Sequence, residues 1–266
     1  MKSHVSVLKI AFAAVAMLLS NGNALAQASV QPIALNANDG NRITGFIYQS
    51  VGTAKKKDAP LAIMMHGMTG SSLTWLASDN STFGDVITKE LIAKGYRVVA
   101  LDARSHGARE DDMKPLARME LARSGNAKPY LAMINGSLSD YDMLLAKVRS
   151  QFGQPRQILA IGYSMGAQMA VLFAAKHEEV THIVTMVPPA AKSVPVVAPI
   201  NHARKVKAHW LLITASRDQY STKADNDALA STAGGKLDRV ELDSEHKLPR
   251  SYSAAVTEWV GQIQAN

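Results

Sequence analysis

The apolar positions of the chain fall into two alternating rhythms. Residues 61–65, 97–101, 157–161, 182–187, 210–214 and 239–242 are short runs of the length expected for strands. Most are apolar without alternation, which predicts a sheet buried on both faces. Between them the spacing turns helical. Residues 84–94 place Val86, Ile87, Leu91 and Ile92 at helical spacing, and 138–152, 165–176, 223–232 and 251–264 predict further helices. Ahead of this alternation, 32–35 and 42–48 are extended stretches around Asp39-Gly40, a hairpin signal, and the polar segment 54–60 separates them from the first buried run. Strands alternating with helices predict an α/β architecture, a parallel sheet with helices on both faces. With no internal repeat and no low-complexity linker, residues 27–266 read as a single domain.

Two connections are longer than a strand–helix link needs. Residues 108–136 hold a short helix at 115–123, and 188–208 carry Pro188, Pro189, Pro195 and Pro199. Neither is long enough for a separate lid domain, and long connections inside a compact domain are more often functional than inert.

The first 26 residues follow a different logic. Lys2 and Lys9 precede an apolar stretch over 10–19, a polar segment at 20–23 and the close Ala24-Leu25-Ala26. A basic start, a short apolar core and an A-x-A end predict a secretory signal peptide over 1–26. The apolar stretch is too short for a membrane span, which needs about 20 residues. The expected mature protein is periplasmic or secreted, with no stable membrane span after cleavage.

Composition narrows the chemistry. Apolar side chains make up 47% and charged ones 19% of the 266 residues, as in a globular protein. Cysteine is absent, which excludes disulfides, thiolate metal sites and a cysteine nucleophile. The formal charge of +7 falls to about +5 without Lys2 and Lys9. Lys55-Lys56-Lys57 is too short a run for a nucleic-acid footprint, so no nucleic-acid partner is expected. No histidine pair has metal-ligand spacing and no glycine-rich phosphate loop follows a strand, so no metal or nucleotide cofactor is expected. The sequence carries no signal of oligomeric state.

One segment joins pattern to chemistry. Gly162-Tyr163-Ser164-Met165-Gly166 is a G-x-S-x-G turn between an apolar run and an apolar helix. A sharp strand-to-helix turn leaves little room beside the serine, which calls for Gly162 and Gly166. It also aims Ser164 Oγ off the carboxyl end of the strand, near the unpaired N–H groups of a helix N-terminus. The helix behind it is apolar almost all round, as packing against a sheet requires. An ordinary turn with a capping serine is the alternative reading.

With this turn in this context the chain resembles the α/β-hydrolase superfamily, as a serine esterase- or lipase-like member. The resemblance covers nearly the whole chain after residue 26. It implies a mostly parallel eight-stranded sheet with helices on both faces, no large lid domain, and a catalytic order Ser, acid, His. A serine hydroxyl is a poor nucleophile unless a base takes its proton and a third group orients that base. Of eight histidines, His246 alone lies beyond all the strands that follow Ser164, where the resemblance places the base. His177, His182, His202 and His209 fall at helix ends or before strands and read as surface residues. Asp218 follows the buried run 210–214 at the sheet edge of Ser164 and is the expected acid, with Asp243 and Glu245 in reserve.

The resemblance assigns the oxyanion hole to the N–H groups of Met68 and Met165; one such donor contributes about 3–4 kcal/mol. His66, ahead of Gly67-Met68, is expected to hold the loop. Asp102-Ala103-Arg104-Ser105-His106-Gly107 resembles the D-x-R-x-H-G turn of the superfamily. Its expected job is loop geometry, with Gly107 at an unusual backbone angle and Asp102 and Arg104 in local hydrogen bonds; a substrate contact from His106 is a further option. Asp140 and Asp142 read as capping and dipole partners near a helix start.

The expected activity is hydrolysis of a small, accessible carboxylic ester through an acyl-enzyme, with the pocket lined by residues from 108–136 and 188–208. A serine at the turn argues against the carboxylate-nucleophile dehalogenases and epoxide hydrolases of the superfamily. The same triad could cleave a peptide, lactone or thioester, because the scaffold does not fix the leaving group. A non-catalytic binding protein on this scaffold is the alternative from another class.

Overall fold

The computed structural model describes residues 28–77 and 83–264, so the signal-peptide reading over 1–26 lies outside the described residues. Strands β1 (Ala28–Asn36) and β2 (Arg42–Ser50) form the antiparallel hairpin. They are followed by β3 (Leu61–Met65), β4 (Arg97–Leu101), β5 (Ile158–Tyr163), β6 (His182–Met186), β7 (His209–Ala215) and β8 (Leu237–Leu242). The eight strands make one sheet in the order β1-β2-β4-β3-β5-β6-β7-β8, antiparallel at the β1, β2 end and parallel from β4 to β8. The helices are α1 (Val51–Ala54), α2 (Gly84–Ala93), α3 (Pro115–Arg123), α4 (Lys128–Phe152), α5 (Met165–Lys176), α6 (Ile200–Ala203), α7 (Lys223–Thr232) and α8 (Ser251–Gln264).

The apolar runs are continuous because successive side chains enter two different cores. Leu61, Ile63, Met65, Ile158 and Ala160 pack with α4 and α5 on one face. Ala62, Met64, Leu159 and Ile161 pack with α2 and α8 on the other. This is an α/β-hydrolase fold, mostly parallel, with helices on both faces and, among the described residues, no large lid domain.

One element departs from the sequence reading. Helix α4 begins at Lys128, ten residues before the expected start at 138, and runs unbroken through Asn135-Gly136-Ser137. Glycine is needed there for side-chain room, since a Cβ on Gly136 would lie 2.4 Å from Arg104 Cδ. Across that gap Arg104 reaches Asp140, with Nε and Nη2 donating to its two oxygens at 3.0 and 2.9 Å. Asp140 is therefore no cap. It is buried in mid-helix and also pairs with Arg109 at 2.7 Å. Asp142 pairs with His177 Nε2 at 2.7 Å and with Lys176 at 2.5 Å.

The histidines read as surface residues are all partly exposed, and two of them also pack against a tryptophan. His182 and His209 are half-buried at the amino ends of β6 and β7, the sheet edge opposite Ser164, and both pack against Trp259. His209 Nε2 lies 2.6 Å from Asp238, which also accepts the indole N–H of Trp259 at 2.7 Å. His177 and His202 are partly exposed, as a surface position implies.

Candidate active site

Between the end of β5 and the start of α5 there is a single residue, Ser164, at φ 54° and ψ −117°. A positive φ at a residue with a Cβ is strained and persists only where the surroundings enforce it. Here the Ser164 N–H donates to Met186 O at 2.8 Å, and its carbonyl accepts from Gln168 N–H at 3.0 Å. A Cβ on Gly162 would meet Gly166 O at 2.1 Å, and one on Gly166 would meet Met65 O at 1.9 Å. The two glycines let the first turn of α5 lie directly against β3 and β5, which fixes where the serine points.

The loop between β8 and α8 brings His246 over this turn. Ser164 Oγ donates to His246 Nε2 at 2.7 Å. His246 Nδ1 lies 2.9 Å from both oxygens of Asp218, which follows β7. A carboxylate can only accept, so Nδ1 carries the proton and Nε2 is left as the acceptor. Asp218 is buried and further held by the Tyr220 N–H at 2.8 Å. The reserve candidates lie elsewhere: Asp243 engages Ser216 and Arg217, and Glu245 is exposed.

Two tyrosines at the site were not singled out from the sequence. The Tyr163 hydroxyl donates to the His246 carbonyl at 2.9 Å and accepts the Leu248 N–H at 3.0 Å, clamping the histidine loop. The Tyr220 ring meets the imidazole edge-on, centroids 4.6 Å apart. Tyr163 sits inside the serine motif, but its partner is 83 residues away and leaves no local signal.

On the other side of Ser164 is the loop after β3. His66 is fully buried; its Nδ1–H donates to Gly67 O at 2.8 Å and its Nε2 accepts the Ala103 N–H at 3.0 Å. The Gly67 carbonyl and the Met68 N–H are two ends of one peptide group, so His66 sets the direction of that N–H. Burial pushes the His66 pKa down to about 4, which keeps the ring neutral and able to accept from Ala103. His106 Nε2 lies 2.7 Å from Met68 O and its Nδ1 2.8 Å from Arg104 O. His106 is buried and is not among the residues lining the cavity described below, so the optional substrate contact gives way to support of the loop. Asp102 accepts from Ser72 N–H at 2.8 Å and Thr44 Oγ1 at 2.7 Å, and Gly107 takes φ +56° above it. The Met165 N–H, in the first turn of α5, is one of those a helix leaves without an intrahelical partner.

Ser164, His246, Met68 and Met165 all line one cavity of about 660 Å³ at the carboxyl edge of the sheet. Its walls come from α3 (Leu116, Met119, Ala122, Arg123), Tyr130, and the segment from Pro189 to Val194. Both long connections therefore contribute, although most of 108–136 is helical. Among the described residues no three His, Asp or Glu side chains converge as a metal site, and no helix is long and apolar enough to cross a membrane.

A family model described as "Alpha/beta hydrolase family" matches residues 62–261. No curated protein is significantly similar to this chain in sequence. Among solved structures, a cold-adapted esterase from an Arctic intertidal metagenomic library is 15% identical, with a TM-score of 0.70 over 91% of this chain and 96% of that one. An acetyl xylan esterase from Paenibacillus sp. R4 is 14% identical, TM-score 0.70, over 94% and 88%. A thioesterase domain from the curacin biosynthetic pathway is 15% identical, TM-score 0.61, over 87% and 99%. At such identities the likeness is one of fold.

Proposed function

We propose, from the premise that this chain belongs to the alpha/beta hydrolase family, that it is a periplasmic or secreted serine hydrolase of carboxylic esters. The observation that carries this reading is the relay Ser164 Oγ–His246 Nε2–Asp218, 2.7 Å and 2.9 Å long, opening into a cavity. As Ser164 Oγ bonds to the ester carbonyl carbon, His246 Nε2 takes its proton, and Asp218 stabilises the resulting imidazolium. The carbonyl oxygen becomes an oxyanion held by the N–H groups of Met68 and Met165. The carbon–oxygen bond to the alcohol then breaks, and His246 Nε2–H protonates the departing oxygen. Water, deprotonated by the same imidazole, then attacks the acyl carbon; the bond to Ser164 Oγ breaks, His246 returns the proton to Oγ, and the acid leaves. The esterases among the structural neighbours support an ester over an amide.

An organophosphonate probe tests this directly. Labelling is expected at Ser164, absent in Ser164→Ala and weak in His246→Ala, with short acyl esters turned over faster than matched amides, lactones and thioesters. An intact protein that stays unlabelled, while Ser164→Ala binds the same ligand as well as the wild type, would establish a binding scaffold instead. The signal-peptide part of the reading is tested by the amino-terminal residue of the exported protein, expected at Gln27.

A further inference from the structure

Apart from the buried Asp218 behind His246, the charged side chains at the cavity wall are cations. Arg123, Lys192 and Lys247 line the cavity, and no aspartate or glutamate is among the described residues that do. Two of these cations belong to the histidine side of the cavity, Arg123 through the Tyr220 ring and Lys247 as the next residue in the chain. The Arg123 guanidinium stands 5.6 Å from the centroid of the Tyr220 ring, and the His246 ring lies 4.6 Å from the same ring. Lys247 follows His246 directly, is exposed, and has no ion-pair or hydrogen-bond partner among the described residues. Arg123 does pair with Glu120 at 2.7 Å, but with 45% and 62% of the two side chains exposed that pair is weak and open to exchange. Lys192 is paired with Asp225 at 2.9 Å.

The proposed reaction fixes which half of the substrate meets these charges. The acyl oxygen faces the amides of Met68 and Met165. The alcohol oxygen must lie by His246 Nε2, which protonates it. A positively charged flank on the His246 side therefore faces the alcohol portion. We propose that the preferred substrate is an ester whose alcohol portion carries an oxyanion, received by Arg123 and Lys247. This rests on the serine-hydrolase reading and adds a substrate class to it.

The test compares the butyrate ester of 4-hydroxyphenylacetate with that of its neutral isostere, 4-hydroxyphenylacetamide. A second pair, the 4-nitrophenyl esters of succinate and butyrate, places the charge on the acyl half instead. Two exposed, partly screened cations predict a kcat/KM advantage of about tenfold for the first pair at low ionic strength, shrinking in about 0.5 M NaCl. No comparable advantage is expected in the second pair. In Arg123→Gln/Lys247→Gln, with folding verified by its thermal midpoint, the first ratio falls towards one. The Kd values of the same esters for Ser164→Ala are expected to show the same ratio without turnover. A wild-type ratio at or below one, or a ratio kept by the double variant, overturns the proposal. A binding preference with no ester hydrolysed overturns the reaction reading and leaves the anion preference standing.

Discussion

Tyr163→Phe removes one oxygen atom and with it the clamp between the serine turn and the histidine loop. The hydroxyl serves two main-chain groups of that loop, donating to His246 O at 2.9 Å and accepting Leu248 N–H at 3.0 Å. Leu248 is buried at 2% exposure, so its N–H cannot turn to water without movement. An ordinary hydrogen bond is worth about 0.5–1.5 kcal/mol net, but a buried donor left without a partner costs about 1–3 kcal/mol. That energy has two outlets. If the loop stays in place, the loss falls on global stability. To the extent that the loop shifts to rehydrate the N–H, part of that stability is regained and the imidazole leaves its 2.7 Å contact with Ser164. A displacement of about 1 Å can cost about a hundredfold in rate. The expected outcome is a 10- to 100-fold lower kcat on a short ester, nearly unchanged KM, and a stability loss of about 1–2 kcal/mol, from steady-state kinetics and urea unfolding. A variant that loses stability but keeps kcat within about twofold refutes the argument, because the hydroxyl would then hold the fold and not the base.

Other changes separate the remaining parts of the site. Asp218→Asn should lower kcat by about 10⁴ with little change in KM, because the amide can donate to Nδ1 and favours the wrong tautomer; a loss below tenfold would remove Asp218 from the relay. Asp140→Ala leaves Arg104 and Arg109 without their buried partner and should destabilise by about 3–5 kcal/mol in urea unfolding, a loss under 1 kcal/mol counting against a structural ion pair. His66 supplies a pH dependence. Its folded pKa of about 4 lies below the unfolded value of 6.5, so the unfolded state binds more protons between these values and stability falls as pH falls through that window. From pH 7 to 5 its share is about 2 kcal/mol. His66→Gln can still donate to Gly67 and accept from Ala103, and should flatten the slope; an equal slope in the variant assigns the acid sensitivity to other groups.

What was legible in the sequence was what the chain does over short distances. The elbow is written in five consecutive residues, because its two glycines answer clashes made by the turn itself and by the strand beside it. Asp218 and His246 were legible by position, each just after a strand of a parallel sheet, which puts their loops at one edge. Where a residue answers a distant partner the pattern misleads. Asn135-Gly136-Ser137 has the composition of a break, yet the helix continues, because the glycine makes room for Arg104 and Ser137 Oγ back-bonds to Met133 O at 2.8 Å. Misplacing that helix start turned Asp140 into a cap, when it is the buried acceptor for two arginines. Tyr163 and Tyr220 carry no local mark of their contacts with His246.

The same long-range contacts explain why so much polarity is buried behind the site. His66, Asp102, His106 and Asp140 are each at most 5% exposed. Buried charges and polar pairs are a weak source of stability, since well-packed apolar groups often do as well. They are a strong source of geometry. Arg104 and Arg109 on Asp140, with Thr44 and Ser72 on Asp102, tie the segment after β4 to α4 and to β2. That segment in turn supplies the Ala103 N–H to His66 and the His106 ring to Met68 O. The peptide group of Gly67-Met68 is thus held from behind through its own carbonyl, which limits how far its N–H can turn. A donor that must stabilise charge appearing only in the transition state gains most when no reorientation is left to do. The buried network supplies that restraint, and apolar replacements of equal volume would keep the fold while losing it.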